Sequence, residues 1–211
     1  MKIIPAILAT DIKKLEHDLL QVEGLDTWIQ VDIMDGKFVN NTSVSLDDFF
    51  SLELVKNFSM EIEVHLMVKN PVTYFSQCQD NNVKRVIFHC EAGDTATILQ
   101  EAKKYNFQIS VALNPETHIK EIMPYIGSID VAVLMSVNPG LQGQAFLPQT
   151  LEKIKELRQL APDLKIEVDG GINIENIKSV AEAGADYLVV GSGLFEGEDI
   201  KKRFKELESH A

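Results

Sequence analysis

Eight repeats of a short apolar run followed by a helix-period run predict a single (β/α)8 barrel, the TIM-barrel architecture, over residues 1–211. The apolar runs are rich in Val, Ile and Leu, as parallel strands covered on both faces are. The length of 211 residues allows about 26 per unit, close to the minimum for a strand, a helix and two short connections. The turn after the first run, residues 6–11, contains no glycine. That argues against the structural alternative, an open doubly wound sheet with its Gly-rich first turn. No linker or composition break divides the chain.

The elements follow in order. Ile3–Leu8 is the first strand. Asp11 caps a helix carrying Leu15, Leu19, Leu20 and Val22, and Gly24 ends it. Thr27–Met34 is the second strand, followed by a loop with Asn40-Asn41 and a short helix around Asp47–Lys56. Glu61–Val68 is the third strand, and Asn70-Pro71 reads as a cap followed by proline at the first helical position. Arg85–His89 is the fourth strand, with a helix over Asp94–Lys104. Gln108–Leu113 is the fifth, with Asn114-Pro115 opening a short helix. Ile129–Ser136 is the sixth, followed by a Gly-rich loop and a helix over Pro148–Leu160. Lys165–Val168 is the seventh, with a helix from Asn173 to Glu182. Asp186–Val190 is the eighth, and a last helix covers Asp199–Glu208.

Composition narrows the function classes. With 45% hydrophobic and 25% charged residues the chain reads as an ordinary globular domain rather than a disordered one. Its 20 Lys+Arg against 32 Asp+Glu give a net charge of -12. Such a field repels nucleic acid and anionic membrane, so neither is an expected partner. Cys78 and Cys90 are the only cysteines and have no metal-site spacing, so a reducing, cytoplasmic setting is expected rather than a disulfide scaffold. The opening Met1–Ala6 stretch reads as neither a signal peptide nor a membrane span.

In a barrel the chemistry sits at the C-terminal ends of the strands. Side chains alternate faces along a strand, so Gln30, Asp32 and Met34 share one face, and His65 and Met67 another. If these faces point inward, Asp32, His65 and Asp169 converge near the axis. Buried charge needs a partner or a metal, and two carboxylates with an imidazole suit a divalent ion such as Zn, Fe, Mn or Co. Strands two and seven lie on different sides of the ring, so Asp32 and Asp169 can flank a substrate and exchange a proton across it. Asp35-Gly36 reads as a turn, His89 as a satisfied core histidine, and His17, His118 and His210 as surface residues. Three late loops are Gly-rich: Gly140-Leu141-Gln142-Gly143-Gln144, Gly170-Gly171 and Gly191-Ser192-Gly193. Together they favour a phosphate site built from backbone N–H groups.

Four motifs in order resemble the ribulose-phosphate 3-epimerase family across nearly the whole chain. They are Val31–Val39 (V-D-I-M-D-G-K-F-V), Val64–Val68 with Pro71, Val137–Gly140 continuing through Gln144–Phe146, and Glu167–Ile172. The resemblance implies a metal-dependent isomerase that epimerises C3 of a ketose phosphate (D-ribulose 5-phosphate and D-xylulose 5-phosphate, or a relative) in carbohydrate metabolism. Asp32 and Asp169 would be the acid/base pair, and Asp32, His65 and Asp169 metal ligands, with Gln30 at the fourth ligand position. Met34, Met67 and Met135 would line the pocket. Gly170, Gly171, Gly191 and Ser192, with Gly140, Leu141, Gln142 and Gly143, would hold the phosphate. The family forms homo-oligomers.

The chain departs from the family pattern at the site itself. Ala6 stands for a serine, Gln30 for a histidine, Gln142 for a glycine and Asn40 for a proline. These changes point to an altered sugar, an altered metal or lost activity. The alternative function is therefore a catalytically silent barrel that binds a sugar phosphate as a sensor or partner protein.

Overall fold

Strands β1 (Lys2–Ile7), β2 (Trp28–Met34), β3 (Glu61–Met67), β4 (Arg85–His89), β5 (Gln108–Leu113), β6 (Val131–Met135), β7 (Lys165–Asp169) and β8 (Tyr187–Val190) pair in sequence order, all parallel. Strand β8 pairs back onto β1 and closes the ring, so the expected barrel is what forms. The structure is a computed structural model and describes residues 1–25, 27–195 and 199–211. Around the ring lie helices α1 (Ile12–Val22), α2 (Leu46–Ser51), α3 (Glu53–Lys56), α4 (Phe75–Asp80), α5 (Thr95–Ala102), α6 (Thr150–Leu160), α7 (Ile177–Ala183), α8 (Ser192–Phe195) and α9 (Ile200–His210). Among the described residues, no helix is long and apolar enough to cross a membrane.

Local chemistry explains where helices start. The Asp11 carboxylate accepts from Lys14 N at 3.0 Å and caps α1, a contact worth about 1 kcal/mol. Leu15, Leu19 and Val22 are fully buried against the barrel, each worth roughly 1.5–3 kcal/mol. Leu20 is not part of that stripe: it is 59% exposed, because one residue after Leu19 turns the helix face through about 100°. Asp94 and Asp199 cap α5 and α9 in the same way as Asp11.

The connections differ from expectation at several Asn and Pro positions. The helix expected around Asp47–Lys56 is two helices, α2 and α3, divided at Leu52, and Ser45 caps the first through a reciprocal box with Asp48. Asn70 makes no side-chain cap, and Pro71 opens a 3-10 turn, Pro71–Tyr74, before α4. Asn114-Pro115 leads only to a turn and to later 3-10 helices, Ile119–Glu121 and Met123–Ser128. Asn173 precedes α7 by a turn: its carbonyl accepts from Asn176 N and Ile177 N. At Asn70-Pro71, Asn114-Pro115 and Asn173 the residues turn the chain, which an Asn or Pro does without committing the next segment to an α-helix.

Two cores result. A large one fills the space between strands and helices. The barrel interior holds two small apolar groups, Ile4, Ala6 and Val189 on one side and Ile87, Ala112, Val131, Val133 and Met135 on the other. Between them lie buried polar and charged side chains. At the floor of the barrel the fully buried Arg85 guanidinium bonds Glu63 and Glu167. It is also sandwiched between the rings of Trp28 (4.7 Å) and Tyr187 (4.6 Å). Burial pushes both glutamate pKa values up, and each carboxylate faces the other's charge or that of Asp169.

Candidate active site

One step up from this floor, Asp32 on β2 and His65 on β3 sit directly opposite each other in the strand register. Asp169 ends β7 beside Met135 of β6. Period-two alternation thus delivers all three side chains to the axis at the C-terminal mouth. His65 is fully buried, and Asp32 and Asp169 are 10% and 13% exposed at their side chains. His65 Nδ1 lies 3.4 Å from Asp32 Oδ1 and 3.2 Å from Asp169 Oδ2. Gln30, two residues below Asp32 and fully buried, donates from Nε2 to Asp32 Oδ1 and to Asp169 Oδ2, both at 2.9 Å.

The electrostatics follow from this packing. Burial raises the Asp32 pKa above the usual carboxylate range, against the pull of His65. Burial alone would depress His65, but the hydrogen bonds and charges of Asp169 and Asp32 overcome it and hold the imidazole up to about 10. Two carboxylates thus enforce one positive charge between them. Ligand atoms of Asp32, His65 and Asp169 all lie within 4.8 Å of one another, and two carboxylate oxygens with one imidazole nitrogen are ordinary donors for a divalent transition ion. These residues fit such an ion.

Behind His65 stands a second histidine. His89 Nε2 is 2.8 Å from His65 Nε2, the rings are stacked, and His89 Nδ1 faces the Glu91 carboxylate at 3.5 Å. His89 is buried, as expected for a core histidine, but it is not satisfied within the core: its Nδ1 has no hydrogen-bond partner. Burial lowers its pKa, so it stays neutral and can accept a proton bond from His65. With Nε2–H given to His89, the Nδ1 of His65 is left facing the two carboxylates, where it carries a proton or, once that proton is displaced, offers a lone pair to an ion.

A cleft of about 530 Å³ opens above these groups. Asp32, His65, Met67, Met135 and Asp169 line its base, and Gly140, Leu141, Gln142, Gly143, Gly170, Gly171, Gly191 and Ser192 its rim. Met34 is buried opposite Met67 in the β2–β3 register and is not among the lining residues. Gln144, from the expected phosphate loop, also lines the cleft, as do Leu8, Val137, Pro139 and Ile172, which have no role in the sequence reading. Val137, Pro139 and Ile172 lie inside the four family motifs, so the signal was adjacency to a site residue. Leu8 had only its place at the end of the first strand.

The rim depends on glycine for close approach. A Cβ on Gly171, which has φ +64°, would lie 2.6 Å from Phe146 N and 2.8 Å from Gln144 O. The Gln144 amide donates to the carbonyls of Asn138 (2.6 Å) and Leu141 (2.9 Å), and Asn41 Nδ2 donates to Gly140 O at 2.9 Å. Asp35-Gly36 is the expected turn, its carboxylate accepting from Lys37 N, Phe38 N and Lys69 N. His17, His118 and His210 are exposed.

Comparison with known proteins agrees with this geometry. Residues 2–195 match the Ribulose-phosphate 3 epimerase family. The chain belongs to that family. The ribulose-phosphate 3-epimerase of Escherichia coli K12 is 34% identical over 216 residues, covering 98% of this chain and 94% of that protein. Its counterpart from Schizosaccharomyces pombe is 33% identical over 204 residues, covering 93% and 88%. The relatives are isomerase-class enzymes. Among solved structures, 3-hexulose-6-phosphate synthase from Salmonella typhimurium superposes with a TM-score of 0.75 at 12% identity, covering all of both chains. Thiamine phosphate pyrophosphorylase from Pyrococcus furiosus gives 0.67 at 18% identity, covering 99% and 94%. At such identities these two likenesses concern the fold alone.

Proposed function

We propose that this family member epimerises a ketose phosphate at C3, interconverting D-ribulose 5-phosphate and D-xylulose 5-phosphate or a closely related pair. The observation that carries this reading is the pair of carboxylates, Asp32 and Asp169, delivered by different strands to the base of one cleft around a shared imidazole.

In the proposed reaction one carboxylate takes the C3 proton. The C3–H electron pair becomes the C2–C3 double bond, and the C2 carbonyl oxygen gains the negative charge. The other aspartate, starting protonated, returns a proton to C3 from the opposite face, and the carbonyl re-forms. The two aspartates exchange protonation states in each turnover, so the reaction runs equally in both directions. Burial favours the protonated form of Asp32, which suits it to begin as the acid. A divalent ion held by Asp32, His65 and Asp169 would supply Lewis-acid stabilisation of the enediolate oxygens. Met67 and Met135 keep water from the base of the cleft. Backbone N–H groups around Gly140–Gly143, Gly170, Gly171, Gly191 and Ser192 would bind the phosphate, which lets a chain of net charge -12 hold an anion without Lys or Arg.

The test is exchange of the C3 proton with solvent deuterium, read by NMR across a panel of ketose phosphates with added Mn, Fe, Co or Zn. Exchange with one of them is the expected result, and none with any would sink the reading. A silent sugar-phosphate-binding barrel has one observation in its favour, the Gln30 amide that bridges both carboxylates. Phosphate binding with neither metal uptake nor exchange would favour that second reading.

A further inference from the structure

Gln30 occupies a ligand's place with the wrong atom. Its nitrogen faces the site: Nε2 lies 2.9 Å from Asp32 Oδ1, 2.9 Å from Asp169 Oδ2 and 3.4 Å from His65 Nδ1. Its oxygen points away and is buried without any partner. An amide NH2 is a donor only and has no lone pair for a cation.

The position is nevertheless that of a fourth ligand. Together with the His65 Nδ1 distances of 3.4 and 3.2 Å to the two carboxylates, these separations run from 2.9 to 3.4 Å. Donor atoms at roughly 2.0–2.1 Å from a tetrahedral ion are spaced by roughly 3.3 Å. Amide oxygen and nitrogen are nearly identical in size, and the terminal torsion of Gln is soft, so a half-turn exchanges the two atoms and leaves the cluster in place.

We propose that Gln30 determines which ion this site takes: a divalent cation turns the amide over, Oε1 joins Asp32, His65 and Asp169, and the site presents three oxygens and one nitrogen. The inference rests on the metal-assisted epimerase reading. Two consequences follow from the chemistry. An oxygen-rich set favours Mn²⁺ or Fe²⁺ relative to Zn²⁺, compared with a set holding two imidazoles. Loading must also break both Gln30 N–H···O bonds, so every ion competes with the amide.

The experiment uses the full chain, stripped by a chelator and titrated calorimetrically with ZnCl2 and with MnCl2, as wild type and as Gln30→His. The expected result is a Zn²⁺ affinity raised by about tenfold or more in Gln30→His, with Mn²⁺ changed far less. In ¹⁵N-labelled wild type, the Gln30 side-chain amide resonance, assigned by its loss in Gln30→His, should shift on Zn²⁺ addition. An unchanged Zn²⁺-to-Mn²⁺ affinity ratio together with an unmoved amide resonance would overturn the role of Gln30 and leave the metal reading standing. Absence of binding by either ion in both forms would overturn the metal reading as well. Should Gln30→His not fold, Gln30→Glu carries the same test. It places an oxygen where the NH2 stands, and Mn²⁺ should then gain more than Zn²⁺.

Discussion

The barrel interior holds two buried charge clusters on nearly the same strands, one step apart, and they are built on opposite plans. Glu63 and Glu167 form the floor; His65 and Asp169, two residues further along the same strands, form the mouth. The floor carries its own fixed cation, Arg85, held by both carboxylates and two aromatic faces. Among the described residues, none that lines the mouth carries a guanidinium or ammonium. Its two carboxylates share what is exchangeable: a proton on His65 and the NH2 of Gln30. A permanent counter-charge makes a cluster structural, whereas an exchangeable one leaves the carboxylates free to take a substrate proton or an ion.

The sharpest way to break the comparison is to neutralise each cluster in turn. Asp32→Asn or Asp169→Asn should lower C3 exchange by roughly 10²–10⁴-fold while urea unfolding changes little, because the mouth is built for chemistry. Arg85→Met should do the reverse. It strands two buried carboxylates and should cost about 3–5 kcal/mol of stability in urea melts. Adding Glu63→Gln and Glu167→Gln to it should recover most of that loss, and failure to recover would mean that Arg85 is held by more than charge.

Titration probes the mouth and the histidine pair behind it more gently. His65 is raised in the folded state, so its contribution is fully present below the unfolded value near 6.5 and is lost as pH climbs to about 10. Stability measured across that window should fall in chelator, and saturating divalent ion should flatten the decline by replacing the proton. At the other end, burial would raise Glu91, but His89, Thr117 and the Asn114 N–H outweigh it and hold it at about 2. Its contribution is present above about 4.5 and disappears as pH falls towards 2, so Glu91→Gln should flatten the acid limb of the same curve. The smallest expected effect is that of His89→Asn, which leaves every site atom in place and removes the partner of His65 Nε2. About 10–100-fold weaker metal binding, read by calorimetry, is the expected outcome.

The mouth was legible in the sequence because period two and the strand ends suffice to place it. Asp32, His65 and Asp169 each interrupt an apolar run where barrels keep their chemistry, and they come together as expected. The floor carries the same signal in a form that one strand alone does not resolve. Arg85 stands two residues before Ile87 on an inward face, and Glu63 and Glu167 stand two residues before His65 and Asp169. A charged residue at a strand's start looks like a solvated end, and only closure of the ring shows that three such ends meet inside. The partnership of His89 with His65 was hidden for a related reason: it depends on cross-strand neighbours, which periodicity along one strand does not reveal. Leu20 and the turns at Asn70, Asn114 and Asn173 departed from expectation through local chemistry, where a good helix residue or a good turn residue has several uses.

Trp28, the only tryptophan of the chain, sits at the start of β2 with Arg85 stacked on its ring and Lys2 4.7 Å from the ring centroid. Four residues on, the same strand carries Asp32. The protein therefore contains a single tryptophan fluorophore, selectively excited beyond the tyrosine band, wired to the floor and set apart from the cleft. Its emission should report loss of the Arg85 stack directly and stay quiet when a ligand or ion enters the mouth, giving an optical gauge that tells damage to the scaffold from events in the site.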